Sequence, residues 1–540
     1  MFFEISKKKL INFSIVILLL FDGLLFSITS DRYINLSSII SMRAKEVQAD
    51  LAYIPHRNSS PQSNNNAFLN TANVLLIAQN IFGEQTTYIN NNNNSTSSAK
   101  SVPVLAYHGI PTESENSVPL SVFIDQMNTL KNAGWKTINI DQLNKFLKGE
   151  IQLPEKSFVL TFDDGRKDTY YPVDPVLKDL GFHAVMFVIT DKSLPYKKNK
   201  NSTYYLSEVE LKSMQDSGRW DLESHGGIDH YWYQIDEKGN TGHFLSNKLW
   251  LKNENRFETE DEFKNRTTTD LSNSKNSLEG SFGKQVLGFA YPFSDYGEDT
   301  INFPGSEKII YDEIGALYPL TFYQSRASDG DTFNYPSNSF MVKRTEPAAN
   351  WSGEKLLQTF TKGQAKKLPY ISTSFGSEWV TTWGNSTSTN DGLEITPSAN
   401  STGADIFLNG SYLWNNYSFN IDVNSNASSS VSLITRRTNN NKYISCVFSS
   451  NRISIKEQSK DSSLIVSDLI SDKQILTNNS GNIGMSVKNS VAECLVNGKV
   501  MLTNKDISQS YSNGGVGIQV WNPNQSEAYA LVTNMEVTPE

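Results

Sequence analysis

The chain has 540 residues, a formal net charge of −9 at pH 7, and a composition that is 38% hydrophobic and 11% aromatic. This length exceeds one ordinary domain, so two or three domains are expected, and the negative charge argues against nucleic acid as a partner. The sequence has two cysteines, Cys446 and Cys494, so a metal site elsewhere in the chain must use histidine, aspartate or glutamate.

The N-terminal part of the chain is predicted to hold a membrane-directed segment followed by a stalk. The lysines Lys7–Lys9 precede an apolar run from Leu10 to Ile28. Since about 20 apolar residues span a bilayer, residues 1–30 are expected to form a membrane anchor or a signal segment. Residues 31–100 contain polar, low-complexity stretches such as NSSPQSNNN and are expected to form a stalk. The protein is therefore expected outside the cytoplasm, anchored at its N-terminus or secreted.

Residues 101–368 alternate between strand and helix patterns. The predicted strands are VPVLAY, KTINI, SFVLTF, HAVMFVIT, RWDLESH and QVLGFAYPF, and helical patterns include FIDQMNTLKNAGW, DPVLKDLG, LSEVELKSMQDSG and EDEFKNRTTTDLSNSKNSLEGSFG. This alternation predicts an α/β fold with a mainly parallel sheet or a barrel. In such barrels the chemistry gathers at the C-terminal ends of the strands.

Residues 369–540 have a different pattern. Short alternating segments such as YSFNIDVN, KYISCVFS, RISIKEQ and GVGIQVW are separated by asparagine, glycine and serine. This pattern is typical of an all-β sandwich of antiparallel strands.

Four side chains with metal-binding chemistry follow two of the predicted strands. Asp163 and Asp164 come directly after SFVLTF, and His225 and His230 lie in SHGGIDH, where two glycines favour a loop. One carboxylate and two imidazoles make a three-ligand metal site with a position open to water. The same ligand set serves non-haem iron, so these residues leave the metal open. A cation would also neutralise one of two adjacent carboxylates that otherwise repel, and would leave the other as a base.

The motifs TFDDG, SHGGIDH and FAYPF resemble those of the polysaccharide deacetylases of the NodB homology group, whose fold is an irregular (β/α) barrel. With VLAYHGI upstream, the arrangement resembles the branch that de-N-acetylates poly-N-acetylglucosamine. The resemblance covers residues 101 to about 350. It implies hydrolysis of N-acetyl groups from an extracellular or cell-surface amino-sugar polysaccharide, release of acetate, and one divalent metal ion, with Zn²⁺ expected.

The resemblance also implies roles for individual residues. Asp163 would be the general base, and the metal ligands would be Asp164, His225 and His230. The backbone N–H of Phe293 would face the oxyanion.

The acid that protonates the leaving amine is harder to place. Many family members have a late histidine for this step, whereas FMVKRTEP, the matching segment here, has none. The branch that de-N-acetylates poly-N-acetylglucosamine uses the histidine of its early YH motif. This histidine corresponds to His108, so the resemblance implies that His108 is the acid.

The chain also departs from the family pattern. Ala290 stands where many relatives have an arginine that orients the base, and Lys343 or Arg344 are candidates to replace it. An insertion after SHGGIDH brings several aromatic and histidine side chains. The candidates for substrate binding are Trp232, Tyr233, His243 and Arg344.

The C-terminal sandwich resembles concanavalin-like jelly-roll modules in pattern, so it is a possible carbohydrate-binding module. Trp414 and Trp521 are candidates to stack on sugars, and the alternative is that both lie in the core. Cys446 and Cys494 fall on separate predicted strands and are expected to form a disulfide outside the cytoplasm.

Two other functions remain open. A glycoside hydrolase needs two carboxylates that flank the scissile bond, which adjacent aspartates do not easily provide. A cell-surface carbohydrate-binding protein with a retired deacetylase site would account for Ala290 and for the missing late histidine.

Overall fold

The structure is a computed structural model, and it describes residues 98–111, 117–194, 202–326, 332–337, 339–372, 375–376, 378–439, 441–460, 462–522 and 527–540. The predicted anchor at 1–30 and nearly all of the predicted stalk lie outside the described residues. Residues 94–540 form a compact unit. Within the described part of the chain, no helix combines the length and the apolar character needed to cross a membrane.

The first half of this unit is an almost closed parallel barrel. Its strands lie in the order β1–β3–β4–β5–β10–β11–β12, and β2 pairs with β3. Their bounds are β1 Val104–Tyr107, β2 Lys136–Thr137, β3 Ser157–Phe162, β4 Ala184–Val188, β5 Trp220–Ser224, β10 Gly288–Ala290, β11 Leu320–Gln324 and β12 Met341–Arg344. A parallel bridge between Leu105 and Thr345 brings the two end strands together. The predicted irregular (β/α) barrel is confirmed.

Helices follow most of the barrel strands. They span Leu120–Asn132, Ile140–Leu147, Lys167–Leu180, Thr190–Ser193, Glu208–Asp216, Glu260–Phe282, Ser306–Leu317 and Gly353–Gly363. The segment KTINI, predicted as a strand, is a strand at Lys136–Thr137 alone. Asn139 then accepts a hydrogen bond from the N–H of Gln142 at 2.8 Å and begins the next helix with a capping box.

Strand β3 shows why the sequence predicted the barrel well. All six of its residues are buried, and a parallel strand covered on both faces needs a nearly continuous apolar run. The polar residues Asp163 and Asp164 come directly after the strand, where the apolar run ends. Between β5 and β10 lie two small hairpins, formed by β6 (Trp232–Gln234) with β7 (Thr241–His243) and by β8 (Trp250–Leu251) with β9 (Arg256–Phe257).

The second half is the predicted all-β sandwich. One sheet has the order β15–β16–β27–β18–β23–β24–β25 with β13 paired to β27, and the other has the order β14–β17–β26–β19–β20–β21–β22. The strands are β13 Tyr370–Ser372, β14 Trp379–Trp383, β15 Asn385–Thr389, β16 Gly392–Thr396, β17 Gly403–Leu408, β18 Tyr417–Ser425, β19 Ser430–Asn439, β20 Lys442–Phe448, β21 Arg452–Gln458, β22 Ser463–Ile470, β23 Ser480–Lys488, β24 Val491–Val496, β25 Lys499–Asn504, β26 Gly515–Trp521 and β27 Ala530–Pro539.

A disulfide joins the two sheets of the sandwich. Cys446 lies on β20 of one sheet and Cys494 on β24 of the other, and both are fully buried. In the chain-entropy model, a loop of 48 residues closed in this way stabilises the fold by about 4 kcal/mol.

The two tryptophans considered for sugar stacking lie in different surroundings. Trp414 is 5% exposed and donates from its indole N–H to the carbonyl of Lys366 at 2.9 Å, which leaves no ring face for a sugar. Trp521, at the end of β26, is 45% exposed. Of the two, Trp521 alone keeps the surface that stacking requires.

Candidate active site at the barrel rim

The two adjacent aspartates occupy a left-handed turn at the end of β3. Asp164 has a φ of 75° and Gly165 has a φ of 68°. Aspartate tolerates this conformation better than most residues, and glycine adopts it freely. The turn separates the two carboxylates, so that Asp163 is 2% exposed while the side chain of Asp164 is 20% exposed.

The two histidines come from the loop that follows β5. Nδ1 of His225 lies 2.7 Å from the carbonyl oxygen of Ala290, and Nδ1 of His230 lies 3.1 Å from Oδ1 of Asp229. Gly226 permits this arrangement, because a Cβ there would meet the Asp229 carboxylate at 1.9 Å. In each ring the Nδ1 atom is occupied and Nε2 is left for another partner.

The donor atoms of Asp164, His225 and His230 converge. One ligand atom from each lies within 4.8 Å of the others. Nε2 of His230 is buried and has no hydrogen-bond partner. Burial lowers the pKa of both imidazoles to about 4, so both are neutral at pH 7, as metal ligands must be. A carboxylate and two neutral imidazoles suit a divalent metal ion.

The buried aspartate has a cationic partner. Arg344, at the end of β12, donates from Nη1 to Oδ1 of Asp163 at 2.6 Å and from Nη2 to Oδ2 at 2.8 Å. Burial opposes ionisation of this carboxyl, but the charge and hydrogen bonds of Arg344 hold the pKa of Asp163 well below its usual range. Arg344 is 1% exposed, so the structure places it beneath the base and away from a surface where substrate could bind.

His108 faces Asp163 from the opposite side. Its Nε2 lies 3.8 Å from Oδ2 of Asp163, and its Nδ1 lies 2.9 Å from Oε1 of Glu346. Burial alone would lower the pKa of His108, but the hydrogen bond to Glu346 and the nearby aspartate charges raise it above its ordinary value. An open cleft of about 730 Å³ lies beside His108 and Glu346. The imidazole therefore keeps its proton to a higher pH than an ordinary histidine does, and its side chain is partly open to solvent.

A cluster of aromatic rings borders the histidines. The ring of Phe293 stacks on His243 with centroids 4.5 Å apart and lies 6.0 Å from the ring of His230. Trp232 packs edge-to-face on His243 at 4.6 Å and is 58% exposed. The exposed rings of Trp232 and Phe293, with the largely buried ring of His243 between them, form the aromatic wall of the site.

Tyr233 does not join the aromatic wall. Successive residues of a strand point to opposite faces, and Tyr233 packs on Phe244 at 5.1 Å. Its hydroxyl donates to the carbonyl of Ile228 at 2.7 Å. Trp250, on the second hairpin, packs on Phe257 at 5.0 Å.

Sequence reasoning missed three acidic partners at the site, namely Glu346 on His108, Asp229 on His230, and Asp295 on His243. Asp229 immediately precedes His230, so the contact between these two side chains could have been predicted from the sequence. Asp295 lies 52 residues from His243 in the sequence, and nothing local announces the pair.

A model of the family described as polysaccharide deacetylase matches residues 150–304, which include both aspartates, both histidines and Phe293. The barrel that contains these residues is a polysaccharide deacetylase domain. His108 and Arg344 lie outside this match, and the deacetylase domain gains them through β1 and β12, the strands that close the barrel.

Similar proteins include poly-beta-1,6-N-acetyl-D-glucosamine N-deacetylases. The Staphylococcus epidermidis protein is 27% identical over 219 residues, covering 41% of this chain and 65% of that protein. The Escherichia coli protein is 25% identical over 226 residues, covering 39% of this chain and 33% of that protein. The chain thus spans less than two thirds of the length of these relatives. A solved de-N-acetylase from Aggregatibacter actinomycetemcomitans matches 48% of this chain and 99% of that structure, with 20% identity and a TM-score of 0.41.

Proposed function

We propose that the protein removes N-acetyl groups from an extracytoplasmic polysaccharide of N-acetylglucosamine, releasing acetate and leaving free amines. The observation that carries this proposal is the convergence of Asp164, His225 and His230 beside the Asp163–Arg344 pair at one rim of the barrel. The names of its relatives support a β-1,6-linked polymer as the substrate class.

Asp164, His225 and His230 would hold one divalent ion, with Zn²⁺ expected from the nitrogen and oxygen donor set. When bound, such an ion supplies Lewis acidity that lowers the pKa of a water ligand and polarises an amide carbonyl. The hydrogen bonds to Ala290 and Asp229 fix both rings so that Nε2 faces the ligand cluster.

Asp163 would act as the general base. Arg344 keeps its carboxylate ionised and holds it in one orientation by two hydrogen bonds. Asp163 would take the proton of the attacking water as the water oxygen bonds to the acetyl carbon. The N–H of Phe293 would donate to the carbonyl oxygen as that oxygen gains negative charge.

His108 would act as the general acid. The C–N bond breaks productively when the nitrogen receives a proton, and a histidine with a raised pKa keeps its proton to a higher pH than an ordinary histidine. Glu346 on Nδ1 fixes the ring and leaves Nε2 as the donor. Nε2 of His108 lies 3.8 Å from Oδ2 of Asp163, so the proposed acid and the proposed base are neighbours at the rim.

Arg344 also bears on the alternative of a retired site. Ala290 motivates that alternative, because many relatives carry the orienting arginine at that position. Here a different strand supplies a guanidinium to Asp163. A glycoside hydrolase is less well supported, because a buried Asp163 clamped by Arg344 is poorly placed to flank a sugar ring.

The proposed location and the role of the sandwich rest on other features. The Cys446–Cys494 disulfide supports an oxidising compartment outside the cytoplasm. The exposed ring of Trp521 supports a carbohydrate-binding role for residues 369–540.

The test is a panel of N-acetylated glycans, including β-1,6- and β-1,4-linked N-acetylglucosamine oligomers, incubated with the full chain and a divalent metal. Acetate and reducing ends would be measured in the same samples. Acetate without new reducing ends supports the proposal. New reducing ends would indicate a glycoside hydrolase, and binding without either product would indicate a retired site.

A further inference from the structure

The loop that presents the Phe293 N–H has an unusual backbone. Phe293 and Ser294 are consecutive non-glycine residues with positive φ angles of 57° and 60°. This conformation is strained for a residue with a Cβ, so the surrounding structure must hold the pair in place. For Ser294 the holding group is strand β11, because the N–H of Gln324 donates to its hydroxyl at 2.8 Å.

For Phe293 the contact comes from the β6–β7 hairpin. The ring of His243 lies on the ring of Phe293 with an interplanar angle of 8°. Nδ1 of the same histidine lies 2.9 Å from Oδ2 of Asp295. His243 therefore touches the residues on both sides of Ser294, with its ring face on one and its ring edge on the other.

Asp295 is itself fixed from several directions. It is 2% exposed, and its Oδ1 accepts from the N–H of Gly297 at 2.9 Å. Ser246, a second residue from the insertion, donates to its Oδ2. The hairpin is thus anchored to the loop through a buried carboxylate, and the position of the His243 ring is set by that anchor.

The same histidine belongs to a second group of possible metal ligands with Asp295 and Asp299. Each carboxylate oxygen of Asp295 already accepts hydrogen bonds from the protein, and Nδ1 of His243 is taken up by Asp295. These contacts need no second ion if His243 and Asp295 together hold the loop in place, as a clamp.

We infer that the His243–Asp295 pair is a positioning device that holds Phe293 in its left-handed conformation and so aims the Phe293 N–H at the acetyl carbonyl. This inference rests on the proposed function, because it assigns the pair a role in the same reaction. His243 acts through Phe293, whereas the exposed Trp232 beside it is placed to contact the sugar. Loss of the clamp should therefore lower kcat, and loss of Trp232 should raise KM.

The test compares His243→Ala, His243→Phe and Trp232→Ala with Trp250→Ala as the matched control on the second hairpin. His243→Ala should lower kcat by about 10- to 100-fold with KM unchanged, since a displaced oxyanion donor stabilises the transition state poorly. His243→Phe keeps a ring against Phe293 but loses the bond to Asp295, so it should recover only part of the loss. Trp232→Ala should raise KM, and Trp250→Ala should change neither constant.

Hydrogen–deuterium exchange of the full chain supplies a readout that does not depend on turnover. The N–H groups of Ser294 and Asp295 donate to the carbonyls of Tyr291 and Pro292 at 3.1 and 3.0 Å. Exchange in residues 291–296 should be fastest in His243→Ala and intermediate in His243→Phe, which keeps the ring contact but loses the bond to Asp295. Unchanged exchange in His243→Ala, or faster exchange with an unchanged kcat, would overturn the inference. If the wild type releases no acetate from any glycan, the proposed function fails, and the exchange result alone decides whether the clamp exists.

Discussion

Arg344 donates to both carboxylate oxygens of Asp163, although 181 residues separate them in the sequence. Both side chains are almost fully buried, so water screens their attraction little. Neither residue suits an apolar core alone, because an unpaired buried charge is strongly destabilising. The pair therefore allows an ionised carboxylate in the barrel interior, next to the candidate metal ligands at the rim.

Replacing Arg344 by glutamine should change the pH profile of acetate release. Burial then raises the pKa of Asp163 and only the neighbouring histidines oppose it, so the base becomes protonated at a higher pH. The acid limb of the profile should move to higher pH, and kcat at neutral pH should fall. Lys343→Gln, on the preceding residue of the same strand, is the matched control and should leave the limb in place. An acid limb that does not move in Arg344→Gln would remove the arginine from control of the base.

The same change should also lower stability in a defined pH range. The folded-state pKa of Asp163 lies below its unfolded value, so the pair stabilises the fold above the unfolded pKa and loses this effect as the pH falls through the folded pKa. Breaking a buried ion pair costs about 3–5 kcal/mol. The measurement is the free energy of unfolding at pH 7, with Lys343→Gln again as control.

His108→Ala should lower kcat by about 10²- to 10⁴-fold while the metal content stays stoichiometric. The alkaline limb of the pH–rate profile should disappear, since that limb reports the loss of the proton from the acid. A variant that keeps its rate and its alkaline limb would return the acid role to Glu346 or to another group.

Glu346→Gln gives a finer test of the same assignment. The hydrogen bond and charge of Glu346 raise the pKa of His108. Their loss should shift the alkaline limb to lower pH without abolishing it. Glu354→Gln changes an exposed glutamate in the next helix and should have no such effect.

The fold was predictable where a segment had a single environment. Strand β3 is buried on both faces and reads as an unbroken apolar run, and its bounds match the prediction. The helix Ile140–Leu147 was not predicted, and its first residue was read as the end of the strand KTINI, because β-branched residues precede it. Its true signal was the capping pair of Asn139 and Gln142. In the sandwich, the strands β13 to β17 and the strand β22 were missed. β15 and β22 are mostly exposed and show no alternation of buried and exposed residues, whereas β17 is buried along its whole length and was missed all the same.

The candidate site was predictable where one motif carried the chemistry. Asp164, His225 and His230 come together as the motifs implied. The choice between Lys343 and Arg344 could not be made from the sequence, because it depends on which face of β12 turns inward. The contact between His243 and Asp295 depends on how an insertion folds back over the rim, which no local pattern encodes.

The ligand set can be tested one residue at a time. Alanine at Asp164, His225 or His230 should each reduce the bound metal well below one ion per chain, because each removes one of three donors. Metal content would be measured by mass spectrometry on protein shown to be folded by circular dichroism. Asp229→Ala should weaken metal affinity by about 10- to 100-fold without removing a donor, since it frees the ring of His230. Full retention of metal in an alanine variant would exclude that residue from the site.

The sandwich is expected to be dispensable for the chemistry on short oligomers. A chain ending at Leu368 should retain acetate release, and residues 369–540 should fold alone with a cooperative transition. The truncated barrel should melt at a lower temperature, because Tyr335 loses the ring of Tyr412 that stacks on it at 4.5 Å. Complete loss of activity on truncation, or an isolated sandwich without a cooperative transition, would contradict the expected domain boundary.

In the proposed reaction the two adjacent aspartates have different roles, Asp163 as the base and Asp164 as a metal ligand. The most direct measurement determines acetate release and metal content together in the wild type, Asp163→Asn and Asp164→Asn, using a β-1,6-linked N-acetylglucosamine oligomer. The account predicts that Asp163→Asn keeps its metal and loses nearly all acetate release, because an amide cannot accept the proton of the water, whereas Asp164→Asn loses both. Acetate release near the wild-type rate in Asp163→Asn, with metal bound, would contradict it.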